Sequence, residues 1–105
     1  MKTQFVLLTT LVISSAVVLA EDLEVLQIKQ KFEPGQIEVK AGEPVNFVNA
    51  DDVKHNLRKV NPDGSKIDHG VQKPGETITF SFDTPGANQV VCGIHPKMKL
   101  EVMVK

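Results

Sequence analysis

The sequence predicts an all-β domain, a sandwich or barrel of roughly eight short strands. Short apolar runs recur at regular intervals, and glycine or proline separates most of them. Several runs alternate strictly between polar and apolar side chains, which is typical of strands with one buried face. No long stretch follows the 3.6-residue period of an amphipathic helix. These three observations favour one small β domain.

Residues 1–20 have the features of a secretory signal peptide. A lysine at position 2 precedes an uncharged, mostly apolar run from Phe5 to Leu19, and Ala20 is a small residue suited to cleavage. A membrane span needs about 20 apolar residues, and this run is shorter and contains threonines and serines. A retained membrane anchor is the alternative. We expect cleavage after Ala20, export to the periplasm or another compartment outside the cytoplasm, and no stable membrane insertion afterwards.

The predicted mature domain, residues 21–105, is small and nearly neutral. The formal net charge of the whole chain is −1, which argues against nucleic acid as a partner because phosphate binding requires a concentrated basic surface. An exported chain with one cysteine cannot form an internal disulfide. Domains of this size often depend on a disulfide or a metal for stability. We therefore expect a metal-stabilised domain that acts as a monomer.

The predicted strands follow one another with short turns between them. The first, Leu23 to Ile28, is imperfect and continues to Phe32, where a turn at residues 32–35 contains Pro34. Strict alternation marks residues 36–40, and an acidic loop precedes the strand that begins at His55. The remaining predicted strands are 45–49, 65–71, 77–82, 89–92 and 100–104.

The turn at residues 61–64 predicts a hairpin, since proline and glycine occupy positions that favour a tight turn there. If Val60 pairs with Ser65, His69 lies opposite Asn56. Direct partners share a face of the sheet, so His69 then faces away from His55 and is most simply a surface histidine. A shift of one residue in the register would reverse this interpretation.

One short segment carries most of the chemistry of the chain. Cys92, His95 and Met98 are separated by two residues each, and thiolate, imidazole and thioether are the ligands that select copper among the first-row metals. Gly93 and Pro96 favour a turn between the three side chains. A turn is needed for the three side chains to converge on one ion.

One further imidazole would complete a blue-copper site, and His55 is the candidate. Two imidazoles and a thiolate with a weak axial thioether suit both Cu(I) and Cu(II). His69 is a rival imidazole and Met103 a rival thioether. Met98 is in step with the residues of the closing strand that are expected to point inward, whereas Met103 is not. Zinc is a chemical alternative for the same donors, although methionine is a poor ligand for it.

Three segments together resemble the cupredoxin family, and most closely its plastocyanin and amicyanin types. They are residues 49–56, which end in His-Asn, residues 80–86, and residues 92–98. The resemblance implies a Greek-key β-sandwich with one type 1 (blue) copper that cycles between Cu(I) and Cu(II), and electron transfer between larger redox proteins. It implies His55, Cys92 and His95 as equatorial ligands, Met98 as the axial ligand, and the Asn56 backbone N–H near the Cys92 sulfur.

The sequence departs from the amicyanin pattern beside the site. It contains no tyrosine, so Val90 and Val91 replace the aromatic residue that often precedes the cysteine. The segment between His55 and Cys92 is also compact. Neither departure affects a ligand.

The residues around His95 suggest where a partner binds. Gly93, Ile94 and Pro96 are expected to form an apolar patch, and Lys97 to belong to a basic rim that attracts an acidic redox protein. Other basic residues near the ligands in sequence are Lys54, Arg58, Lys59 and Lys99. Such contacts are small and transient, and charge mainly steers the encounter.

The predicted function is exported one-electron transfer through a mononuclear copper site. The alternative is a copper-binding or copper-delivery protein in which the metal is cargo, although such proteins usually offer several methionines or cysteines. An enzyme is not expected. The chain has three histidines and one cysteine, too few for a multicopper oxidase or a binuclear copper centre, and a cysteine–histidine hydrolase lacks an orienting partner.

Overall fold

The computed structural model describes residues 23–105, which form nine β-strands and no helix. The strands are β1 Leu23–Ile28, β2 Lys31–Glu33, β3 Gln36–Val39, β4 Pro44–Asn49, β5 His55–Val60, β6 Lys66–Gln72, β7 Thr77–Ser81, β8 Gly86–Val91 and β9 Lys99–Val104. A helix capable of crossing a membrane is absent from this part of the chain. The signal peptide predicted over residues 1–20 lies outside the described residues.

The strands form two sheets, with the orders β2-β1-β4-β7 and β3-β9-β8-β5-β6. Two pairs are parallel, β1 with β4 and β3 with β9, and the other pairs are antiparallel. The chain changes sheet after β2, β3, β4, β6 and β7, so strands distant in sequence become neighbours. The predicted all-β fold is confirmed as a two-sheet sandwich of the Greek-key kind.

Side chains from the facing surfaces of both sheets fill the core. Phe47 on β4 and Leu57 on β5 are fully buried, and the ring of Phe47 stacks on Phe80 with centroids 4.6 Å apart. The predicted alternation of β9 is also confirmed. Leu100, Val102 and Val104 are buried together with Met98, whereas Met103 is 45% exposed.

A ninth strand arises where the sequence predicts a continuous first strand and a turn. Lys29 and Gln30 adopt left-handed backbone conformations, with φ values of 55° and 56°, and reverse the chain so that β2 pairs antiparallel with β1. Phe32 and Glu33 therefore belong to a strand, and the predicted turn at residues 32–35 is wrong in its first half. Left-handed residues other than glycine are uncommon, which is why the pattern contains no sign of this reversal.

The β5–β6 hairpin exists, but its predicted register is wrong. Val60 pairs with Lys66, not Ser65, and Asn56 pairs with Val71 because a bulge interrupts the ladder after Leu57. His69 is the unpaired residue of that bulge. Its ring stacks on Phe80 with centroids 3.7 Å apart. His69 is thus half-buried against the opposite sheet and is not the expected surface histidine.

Candidate metal centre

Pairing between β5 and β8 brings the two remote parts of the site together. The strands are antiparallel, with Arg58 opposite Val91, so the beginning of β5 lies beside the end of β8. His55 is the first residue of β5, and Cys92 directly follows β8. The 92–98 loop then turns back toward β9, closed by a hydrogen bond of 2.9 Å from Met98 N–H to the His95 carbonyl.

Three donor atoms converge at this end of the sandwich. The Nδ1 atoms of His55 and His95 lie 3.1 Å apart, and the Cys92 Sγ lies 3.9 Å from the first and 3.6 Å from the second. A point in the plane of these atoms lies about 2 Å from each, close to the bond lengths of a small first-row metal ion to nitrogen and sulfur. The arrangement and chemistry of the donors therefore fit copper.

Burial separates His95 from the other residues of the site. His55 and Met98 are at most 1% exposed and Cys92 is 2% exposed, whereas His95 is only partly buried. A shallow depression beside His95 is lined by Gln30, Ile94, Pro96, Lys97 and Met98. One imidazole of the site is therefore near solvent, and the remaining residues are enclosed by protein.

Asp51 fixes the orientation of the His55 ring. Its Oδ2 atom lies 2.9 Å from His55 Nε2 and also accepts a hydrogen bond of 2.8 Å from the Gln30 backbone N–H. Burial tends to raise the pKa of Asp51, but hydrogen bonds from Gln30 and His55 outweigh it and lower the pKa of this carboxyl. An ionised Asp51 accepts the Nε2 proton, so Nδ1 of His55 is left free to bind a metal.

Asn56 contacts both Cys92 and Gly93. Its backbone N–H donates to Cys92 Sγ over 3.3 Å, and its side-chain oxygen accepts a hydrogen bond of 3.0 Å from Gly93 N–H. The same residue thus holds the sulfur and the backbone that follows it. The beginning of the 92–98 loop is thereby attached to β5.

The residues expected to bind a partner lie on the surface, but the basic rim is smaller than predicted. Gly93, Ile94, Pro96 and Lys97 are all exposed around His95. Lys59 is only 6% exposed, because its ammonium donates to the Ser81 carbonyl over 3.0 Å and lies 5.7 Å from the Phe82 ring centre. Lys59 is therefore excluded from the rim. Arg58 is exposed but contacts Asp68.

The two rivals for a ligand position lie elsewhere. Within residues 23–105 the group of histidine and cysteine donors comprises His55, Cys92 and His95, without His69. Met103 is on the outer face of β9, away from the buried Met98.

Sequence reasoning missed two residues that support the site, Asp51 and Asp68. Asp51 was visible only as a charge in the loop before His55, although its position four residues before that histidine is a usable signal. Asp68 reaches Asn56 from β6, with 3.0 Å between Oδ1 and the amide nitrogen. No local sequence pattern links Asp68 to Asn56.

Comparison with known proteins agrees with this geometry. Residues 20–105 match the model of the copper-binding proteins of the plastocyanin/azurin family. Amicyanin-alpha of Methylorubrum extorquens is 31% identical over 88 residues, which is 82% of this chain and 74% of the relative. The methylamine utilization protein MauL of Methylophilus methylotrophus is 30% identical over 76 residues, which is 70% of this chain but only 44% of the relative.

Solved structures show the same fold. A methionine-to-alanine variant of amicyanin in its Cu(I) form superposes with a TM-score of 0.72 at 24% identity, over 84% of this chain and 86% of that one. At this identity the likeness concerns the fold alone.

Proposed function

We propose that this chain, which belongs to the plastocyanin/azurin family of copper-binding proteins, is an exported carrier of single electrons with one mononuclear copper site. The convergence of two imidazole nitrogens and one thiol sulfur within 3.9 Å of each other supports the proposal most directly. The proposal includes no catalytic step, and the chain acts as a monomer.

The proposed ligands are His55, Cys92 and His95, with Met98 as a weaker fourth ligand. Copper, when bound, supplies the one-electron couple between Cu(II) and Cu(I). Met98 is 1% exposed and belongs to the same loop as the cysteine and the second histidine, so its thioether is enclosed with them. Thiolate and imidazole ligands with a weak axial thioether are the donor set of blue-copper electron-transfer sites.

The protein holds these donors in place before a metal is bound. Asp51 orients His55, and Asn56 holds the Cys92 sulfur through its backbone N–H. A site whose donors are fixed by such contacts changes little when the charge of its metal changes, and small rearrangement favours rapid electron exchange. His95 is the ligand nearest to solvent, and electrons therefore enter and leave at its exposed edge.

Redox partners are proposed to bind transiently around His95. Gly93, Ile94 and Pro96 provide an exposed apolar surface, Ile94 being 49% exposed, and Lys97 adds a positive charge beside it. If charge steers the encounter, the rate of electron transfer to an acidic partner falls as ionic strength rises. Stopped-flow rates that do not change with salt would contradict a steering role for Lys97, and the apolar surface alone would then account for partner binding.

Export is part of the same proposal. Residues 1–20 are the proposed signal peptide, removed after Ala20, and residues 21–105 are the mature domain. Mass spectrometry of the protein recovered from the periplasm of a bacterial host checks the cleavage position directly.

Copper delivery is the alternative function, and spectroscopy separates the two. The purified domain loaded with Cu(II) is expected to show an intense visible thiolate-to-copper band, an EPR spectrum of a type 1 site and a reversible reduction potential. Slow copper loss to a mild chelator supports a carrier, and rapid loss supports delivery. A colourless protein after copper loading would contradict both the ligand set and the electron-carrier function.

A further inference from the structure

Asp68, an exposed residue of β6, is the centre of a hydrogen-bond network beside the proposed copper site. Its Oδ1 atom accepts the Asn56 side-chain amide at 3.0 Å and the Gly70 backbone N–H at 2.8 Å, and its Oδ2 atom lies 3.4 Å from Arg58 Nε. The Gly70 N–H, followed by the Asn56 amide, lowers the pKa of Asp68. This carboxylate therefore contacts two side chains on the outer face of β5, those of Asn56 and Arg58.

The position of the Asn56 side chain depends on Asp68 in two ways. The Asn56 amide donates to Asp68 and also, over 3.1 Å, to the Gly70 carbonyl. Gly70 has a φ of 105° in the bulge of β6, and its N–H is bonded to Asp68. Asp68 thus supplies one acceptor of the amide directly and fixes the backbone that supplies the other.

The same network covers Gly93, the residue after the proposed copper thiolate. A methyl group built on Gly93 would lie 2.8 Å from the Asn56 side-chain oxygen and 2.9 Å from the guanidinium carbon of Arg58. Both side chains are therefore packed directly against the backbone of the 92–98 loop. Both are also partners of Asp68.

We propose that Asp68 is a positioning residue of the copper site, which acts through Asn56 and Arg58 to hold Cys92 and Gly93 in place. This inference rests on the proposed function. Asp68 touches no proposed ligand. Its effect passes through the Asn56 side chain, which is bonded to Gly93 N–H, and through the Asn56 backbone, whose N–H is bonded to the Cys92 sulfur.

The expected consequence of losing Asp68 follows from that last hydrogen bond. An N–H that donates to the cysteine sulfur withdraws electron density from it, so the thiolate stabilises Cu(II) less, and the hydrogen bonding around this sulfur tunes the reduction potential. If Asn56 moves, the hydrogen bond lengthens and the potential falls. The 92–98 loop also becomes freer, so copper leaves faster.

The test compares Asp68→Ala and Asp68→Val with Asp68→Asn in the full chain loaded with copper. Alanine and valine remove every acceptor, and valine suits a strand, so at least one of the two is expected to fold as the parent does. We expect about 10-fold faster copper loss to a chelator and a lower reduction potential for both. Asparagine retains an acceptor oxygen, and it is expected to restore most of the parental rate and potential.

A second readout does not require copper. In the metal-free protein, hydrogen exchange at the Asn56 and Gly93 backbone amides is expected to accelerate in Asp68→Ala and Asp68→Val relative to amides of β9. Asp63→Ala is the matched control, because Asp63 is an exposed carboxylate of the same hairpin whose bonds are to Ser65 in the turn.

The outcomes separate this inference from the proposed function. If the parent chain shows no thiolate-to-copper band, the function itself is wrong, and unchanged Asn56 and Gly93 exchange would then contradict the positioning role as well. If the parent binds copper and the alanine and valine variants match Asp63→Ala in copper loss, potential and exchange, only the inference about Asp68 is overturned.

Discussion

Two carboxylates, Asp51 and Asp68, stabilise different parts of the copper site. Asp51 bonds to the ring of His55, and Asp68 bonds to the side chain of Asn56. The candidate ligands could be predicted because their residue types and the close spacing of Cys92 and His95 are visible in the sequence. Asp68 could not, because it reaches Asn56 only through a strand pairing that the fold creates, whereas the spacing of Asp51 and His55 is a local signal that the ligand pattern alone does not use.

The hydrogen bond between Asp51 and His55 is tested by Asp51→Ala. Removal of the acceptor frees the His55 ring to rotate, and we expect copper affinity to fall about 10- to 100-fold. Competition with a chelator of known affinity measures the loss. Asp51→Asn retains an acceptor, so its copper affinity is expected to lie between those of the parent and Asp51→Ala. Asp52→Ala changes the exposed neighbouring residue and serves as the control. Equal affinity in Asp51→Ala and Asp52→Ala would show that the contact is unimportant.

The close packing at Gly93 is tested by Gly93→Ala. The new methyl group would lie 2.8 Å from the Asn56 side-chain oxygen, which cannot move away without weakening its hydrogen bond from Gly93 N–H. We expect a loss of about 1–3 kcal/mol in the free energy of unfolding and a shifted visible band.

Gly35→Ala is the matched control for that substitution. Its nearest neighbour would be the Phe32 carbonyl oxygen at 3.9 Å, an ordinary contact distance, and urea unfolding measures both variants. Equal midpoints would indicate that Asn56 and Arg58 adjust to the methyl group without cost.

At the scale of single elements, the alternation of polar and apolar residues predicted the strands well, but it did not predict chain reversals or bulges. The buried positions of β9 follow directly from its sequence, and the tight turn predicted at residues 61–64 is present, with a left-handed φ of 90° at Gly64. The reversal at Lys29 and Gln30 was missed because neither residue is glycine. The bulge at His69 was missed because a hairpin register inferred from its turn assumes an uninterrupted ladder.

Because of the bulge at His69, we expect the stability of the folded protein to decrease at low pH. Burial, and then the nearby ammonium of Lys59, lower the pKa of His69, and the carboxylate of Asp68 only partly opposes them. The unfolded chain therefore binds this proton more readily than the folded chain. Above about pH 6.5, we expect the contribution of His69 to the free energy of unfolding to be constant. As pH falls below that value toward the lowered pKa of His69, we expect the free energy of unfolding to decrease.

The measurement is urea unfolding of the copper-loaded protein between pH 7.5 and 5, for the parent and for His69→Phe. Phenylalanine retains an aromatic ring to stack on Phe80 and has no titrating group. The parent is expected to lose more stability than the variant across this range, and parallel curves would contradict the effect.

At the scale of the whole molecule, the two-sheet arrangement explains why His55 meets the 92–98 loop. β5 and β8 are adjacent and antiparallel in the five-stranded sheet, and this neighbour relation cannot be obtained from strand patterns alone. The resemblance to cupredoxins implied only that the Asn56 N–H lies near the Cys92 sulfur, and the structure shows the strand pairing that brings them together. Lys59 illustrates the opposite case, since a lysine near the ligands in sequence was expected on the surface and is buried between the sheets.

Metal removal is expected to weaken the whole sandwich, because the site joins β5 to the segment before β9. A ligand that binds only the folded state adds about 4 kcal/mol when its free concentration is about 1,000 times Kd. Thermal unfolding of the copper-loaded and metal-free protein measures the difference. Cys92→Ser is expected to gain much less from copper, and an equal gain in both proteins would place the stabilising copper elsewhere.

The distance in sequence between β5 and the 92–98 loop also imposes an order of events. During synthesis His55 is complete long before Cys92, and an emerging chain that ends within β6 or β7 contains only one of the three imidazole and thiol ligands, His55. The complete ligand set is therefore assembled only after the 92–98 loop has been made and β8 has paired with β5. The strand pairing that creates the metal site also buries the cysteine, which is 2% exposed in the folded chain.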